Sequence, residues 1–256
     1  MCSSDLEYFP LVLLAIETMC APQFNLYGIQ TTTHPCAPLV IVNGPVAQEL
    51  GINAGHNVFG PGHAANATIG RAIRLALLNI GGGIPGIGDM ATMGQPGKYG
   101  YVIAENEAAS PWEPLHVERG FAPDTSTVTV VGAEAPHNVN DHESIDAESV
   151  LASIEGTVAS TGNNNVYYTG EPLVVFGPEH AATVAAGGYS KADVKRHIYR
   201  HATTPRSRFS ARNFERRIGS AFPERFAGAG PDAPVPVAQC AEDVMIVVAE
   251  IGRAHV

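Results

Sequence analysis

Four short runs of apolar, mostly β-branched residues punctuate this chain: Leu39-Val-Ile-Val42, Tyr101-Val-Ile-Ala104, Leu173-Val-Val-Phe176 and Val244-Met-Ile-Val-Val248. Runs of this length with no polar alternation fit strands buried on both faces. Between them the apolar residues recur at helical spacing. Residues 63–80 place Ile69, Ile73, Ala76, Leu77 and Ile80 on one face and stop at Gly81-Gly-Gly83. Residues 145–159 and 191–201 repeat that pattern, and residues 7–20 form an apolar helix entered through Pro10. Residues 26–32 and 127–131 read as further strands. Strands alternating with helices predict an α/β fold with a largely parallel sheet and helices on both faces. Pro38-Leu-Val-Ile-Val-Asn-Gly-Pro45 resembles Pro172-Leu-Val-Val-Phe-Gly-Pro178. The likeness suggests two similar lobes, residues 7–143 with the candidate site and residues 144–249.

The two ends read differently. Residues 1–6 and 250–256 match the translations of one sequencing adapter in its two orientations. They are expected to be artefact, with a fragment truncated at both ends between them. The balance of 25 acidic to 15 basic residues, net −10, opposes binding to nucleic acid or anionic membranes. The longest apolar stretch, residues 9–16, is too short to span a bilayer. The four cysteines, one inside the adapter-like start, include no Cys-x-x-Cys pair, which favours a reducing cytoplasm.

Residues with chemical potential crowd into the first lobe. In Thr31-Thr-Thr-His-Pro-Cys36, the thiol two residues after an imidazole can act as a nucleophile if its pKa is depressed. The competing reading is a buried cysteine beside a turn. The glycine-rich loop before residue 63 lets backbone approach a ligand. It carries His56, Asn57 and His63, with Asn66 and Arg71 on the following helix, as substrate-binding candidates. It is neither a P-loop nor a dinucleotide fingerprint, which argues only weakly for a nucleotide and leaves any cofactor unknown. Glu105 and Glu107 follow the strand ending at Ala104, where open α/β sheets place ligand-binding groups. Glu105, His116 and Glu118, or Glu118 with a neighbouring basic group, offer acid–base catalysis, Arg119 offers a substrate contact, and Trp112 offers a pocket wall. His137-Asn-Val-Asn-Asp-His142-Glu143 has metal-binding residue types without a recognisable zinc spacing, and Gly177-Pro-Glu-His180 is a weaker candidate.

The strings Gly55-His-Asn-Val-Phe-Gly-Pro-Gly-His-Ala-Ala-Asn-Ala-Thr-Ile-Gly-Arg71, Pro96-Gly-Lys-Tyr99, Ala104-Glu-Asn-Glu107 and Ser110-Pro-Trp-Glu-Pro-Leu-His-Val-Glu-Arg-Gly-Phe121 carry a resemblance. They resemble an uncharacterised bacterial family associated with proteins that bear a selenocysteine-or-cysteine-Gly-Ser-Cys motif, over nearly all of residues 8–249. The resemblance implies a redox or reductive-cleavage role shared with a thiol or selenol module, as a separate protein or fused downstream. No Cys-Gly-Ser-Cys occurs in this chain.

Together these features predict a cytoplasmic α/β enzyme or catalytic subunit acting on a small polar or anionic metabolite. Glu105, His116 and Glu118 serve as acid–base groups, and Cys36 as a thiol nucleophile or redox partner. One alternative is a metal-dependent hydrolase or lyase drawing on His34, His56, His63, His116 or His137. A second is a non-catalytic binding or scaffold subunit of a heteromeric complex.

Overall fold

The computed structural model describes residues 6–250, which form two compact units. The first contains the described residues up to Ala109, Glu113–His137 and the segment from Ala249; the second contains Ser110–Trp112 and Asn138–Val248. Of the adapter-like ends, only Leu6 and Glu250 fall within the described residues.

The first unit runs α1 (Phe9–Met19), α2 (Leu26–Thr31), β1 (Ala37–Asn43), α3 (Pro45–Glu49), α4 (Ala64–Asn79), β2 (Val102–Ala104), α5 (Leu115–Glu118) and β3 (Thr127–Ala133). Its sheet has the order β2-β1-β3. Strand β1 pairs with β2 in parallel, Val40 opposite Val102, and with β3 antiparallel, Leu39 opposite Val131. Residues 39–42 are buried on both faces of β1, which is why they read as a continuous apolar run. Leu11, Val12 and Ala15 of α1 and Ile69, Ile73 and Leu77 of α4 pack against Val40, Val42 and Val102. At 25 cal/mol per Å², full burial of each such side chain stabilises by about 1.5–3 kcal/mol relative to exposure. Ile80 departs from the expected face. Helix α4 ends at Asn79, and Ile80 is 88% exposed.

Residues 26–31 are the helix α2, not a strand. Asn25 adopts a left-handed conformation (φ 52°), and its side-chain oxygen accepts the Gly28 N–H, so a cap overrides the β-propensity of Tyr27, Ile29 and Thr31. The Ile29 side chain then lies over the bare face of Gly132 on β3, where a Cβ would come within 2.4 Å of it.

The second unit runs α6 (Ala147–Val158), β4 (Leu173–Phe176), α7 (Pro178–Ala186), α8 (Lys191–His201), β5 (Thr203–Pro205), α9 (Ala211–Phe214), α10 (Pro223–Phe226), β6 (Pro234–Pro236) and β7 (Met245–Val248). Strands β4 and β7 form a parallel pair, with Leu173 opposite Met245, and β5 and β6 an antiparallel pair. Val150, Leu151 and Ile154 of α6 and Val194 and Ile198 of α8 cover Val174, Phe176 and Ile246. Helix α8 starts in a reciprocal cap between Ser190 and Asp193. A smaller apolar cluster gathers Tyr168, Phe214, Ile218, Phe226 and Val235.

Helices and strands thus combine as expected for an α/β chain, but the sheets are small. Among the described strands parallel pairing is confined to β1 with β2 and β4 with β7, and β3 runs against its neighbour. Both Gly-Pro turns behave alike in one respect: Gly44 and Gly177 precede a proline in the first turn of α3 and α7. They differ in backbone, since Gly44 has φ 79° and Gly177 φ −67°.

Candidate active site

Parallel pairing brings the carboxyl ends of β1 and β2 together, and each strand delivers a polar residue there. Asn43 closes β1 and is completely buried. Glu105 follows β2 directly and is 4% exposed. The Asn43 side-chain amide donates to Glu105 Oε2 at 2.6 Å and to Glu107 Oε1 at 3.0 Å. Glu105 Oε2 also accepts the Leu115 N–H at 2.8 Å, and Glu107 Oε1 accepts the Gly44 N–H at 2.7 Å. One amide thereby holds two carboxylates side by side, and each carboxylate receives a backbone donor as well. Such charge-assisted bonds are stronger than neutral ones.

His116 sits in the first turn of α5, 1% exposed. Its Nε2 lies 3.3 Å from the Pro123 carbonyl, so that nitrogen carries the hydrogen. The opposite nitrogen, Nδ1, has no hydrogen-bond partner and faces Glu107 Oε1 at 3.8 Å. In the neutral imidazole two acceptors confront each other across that gap; a proton added to either makes the contact attractive. Glu107 is the accessible member, with 28% of its side chain exposed.

The arrangement reassigns several residues that the sequence singles out. Glu105 and His116 belong to one cluster, but Glu105 is a buried tie between the two strand ends and α5. Glu107 is better placed to meet a ligand. Glu118 is half-buried two residues along α5 from His116, and residues two apart on a helix do not face one another. Arg119 is exposed. Trp112 is a core residue. It belongs to the second unit, packs edge-on to Phe176 at 5.5 Å and donates its indole N–H to the Tyr189 carbonyl. Asn43 escapes the sequence reading because Asn-Gly-Pro reads as a turn; only the parallel register with β2 makes it a neighbour of Glu105.

The glycine-rich loop reaches the same strand end through its backbone, since the Asn53 carbonyl accepts the Ala104 N–H at 3.1 Å. Its polar side chains mostly hold the loop itself. Asn66 is buried and bonds Asn53 N, Asn53 O and Val102 O. Asn57 takes a left-handed backbone (φ 56°) and donates to the Pro61 carbonyl. His56 and Arg71 are exposed, and His63 is half-buried just before α4.

Cys36 is 3% exposed, its Sγ 3.6 Å from the Ile29 carbonyl. Burial pushes its thiol up, against the opposing pull of the Lys98 charge, so the thiolate that nucleophilic chemistry needs is disfavoured. His34 bonds instead to Glu134. His137 and His142 are exposed, and His180 bonds the Asp141 carbonyl. Among the described residues no three His, Cys, Asp or Glu side chains converge as metal ligands. No protein family, curated protein or solved structure matches the chain.

Proposed function

We propose that the first unit is an acid–base enzyme site for a small polar or anionic metabolite. Glu107 exchanges a proton with the ligand, and His116 stands behind it as the group that holds or returns that proton. The observation that carries the reading is the buried His116 Nδ1 facing the part-exposed Glu107 carboxylate at 3.8 Å. Asn43 and the Gly44 N–H fix Glu107 in place, so little rearrangement precedes transfer. A reductive cleavage, as the family resemblance implies, draws its thiol or selenol from a partner or fused module, because Cys36 is buried.

The test is proton exchange in heavy water. Small carboxylates and carbonyl compounds are incubated with the protein, and loss of a carbon-bound proton is followed by NMR. A metabolite that exchanges should do so about 10²–10⁴ times more slowly with Glu107→Gln. Exchange at the full rate in that variant removes Glu107 from the mechanism. A library without exchange and without shifts at Asn43, Glu107 or His116 removes the site.

A further inference from the structure

We propose that a second site, at the amino ends of β1 and β2, binds the head group of a small carboxylate. Gln30 of α2, Arg74 of α4, Lys98 and Tyr101 line a cavity there, together with Ala37 and Val40. Its free volume of about 20 Å³ admits one small polar group rather than a whole metabolite.

Two independent observations point to an anion. The first is charge. Asp89 is 5% exposed and receives both oxygens' worth of contacts from Lys98 Nζ, at 2.9 and 3.0 Å, and a third from Arg74 Nη2 at 3.0 Å. Arg74 also donates to the Gly83 carbonyl. Burial pushes Asp89 up, but the hydrogen bonds from Lys98 and Ala91 and the two cationic charges outweigh it and hold the carboxyl below its ordinary value. Asp89 is the carboxylate bonded to both cations, whose side chains are each only 12% exposed, and Glu134 acts on nearby Cys36 alongside Lys98 and Asp89. Two little-exposed cations that share a single bonded carboxylate favour a further anion beside them.

The second observation is Gln30. Its side chain is more than nine-tenths buried, and neither Nε2 nor Oε1 has a hydrogen-bond partner. Buried amides without partners are rare and unfavourable. A carboxylate oxygen in the cavity accepts the Gln30 N–H while its charge answers Lys98 and Arg74. The cavity has room for the carboxylate alone, so formate is expected to bind more tightly than acetate or glycolate.

The test uses the full chain, with formate, acetate and glycolate as probes; the readout is the Gln30 side-chain amide in the parent and the Gly100 and Tyr101 backbone amides, which also line the cavity, in parent and variants alike. Saturable shifts in the millimolar range are expected, with formate at least threefold tighter than acetate. Gln30→Leu and Lys98→Met should each weaken binding more than tenfold. Gln30→Leu removes an unpartnered amide, so that variant keeps its fold and supports the conclusion even if Lys98→Met unfolds. Binding that survives both variants overturns the proposal. So does a Gln30 amide unmoved at 100 mM probe (roughly a hundred times a millimolar Kd), or a crystal grown with formate that holds only water beside Gln30.

Discussion

Asn43 and Glu105 lie 62 residues apart in sequence and 2.6 Å apart as an amide–carboxylate hydrogen bond. The contact exists because β1 and β2 run in parallel and end at the same level, Val42 opposite Ala104. The Leu115 N–H shares the same Glu105 oxygen, so three segments are tied at one atom.

That tie predicts a stability effect distinct from catalysis. Glu105→Gln keeps the shape but removes the charge, and it turns an amide N–H toward donors or leaves a weaker acceptor. Urea denaturation should report a loss of about 1–3 kcal/mol. A variant as stable as the parent would show that the Asn43 and Leu115 donors find other partners.

The two Gly-Pro turns should respond differently to alanine. Gly44 has φ 79°, and a Cβ there meets the Thr125 carbonyl oxygen at 2.4 Å. Gly44→Ala should cost about 1–3 kcal/mol in backbone strain, before any cost of moving Thr125. Gly177, at φ −67° and ψ 147°, has a backbone any residue adopts, and Gly177→Ala should be the milder change in thermal melts. The reverse order would contradict the backbone described for β1 and α3.

Acid sensitivity should trace in part to Asp141. Hydrogen bonds from the Ser144 hydroxyl, the Ser153 hydroxyl and the Ser144 N–H lower its carboxyl to about 2. An unfolded aspartate titrates near ~3.9. A depressed folded value contributes stability above the unfolded value and loses it as pH falls toward the folded one. Asp141→Asn should therefore be less stable than the parent at pH 6, with the gap narrowing from pH 4 down to pH 2. A constant gap over that range would mean the carboxylate's charge plays no part.

Thiol labelling should separate the cysteines. Cys20 is exposed, whereas Cys36 is buried with its thiol pushed up by that burial. Iodoacetamide under native conditions should modify Cys20 first and Cys36 only with unfolding, read by peptide mass spectrometry. Early labelling of Cys36 would restore it as a reactive group.

The strands and long helices were legible because apolar periodicity and buried runs are local: Leu173–Phe176 and α8 appear as the sequence reads them. The misreadings were equally local in origin. Residues 26–31 carry strand-forming side chains but follow a capping Asn25, and Ile80 continues a helical pattern one residue past the helix. The site was half legible. Glu105 and His116 stand out as polar groups after an apolar run. Asn43, and the grouping of Gln30, Arg74, Asp89 and Lys98, depend on contacts between distant segments that no spacing rule contains.

Strand β1 is apolar on both faces, so sliding it by one residue against β2 exchanges one buried aliphatic for another and costs little burial. Alternation of polar and apolar side chains, which ordinarily fixes alignment, is missing here. The polar residues at its end supply what the pattern lacks. Shifted by one position, Asn43 loses Glu105, and the residue brought against Thr125 in place of Gly44 carries a Cβ for which there is no room. The same group of side chains that forms the candidate site therefore also sets the alignment of the strands that carry it.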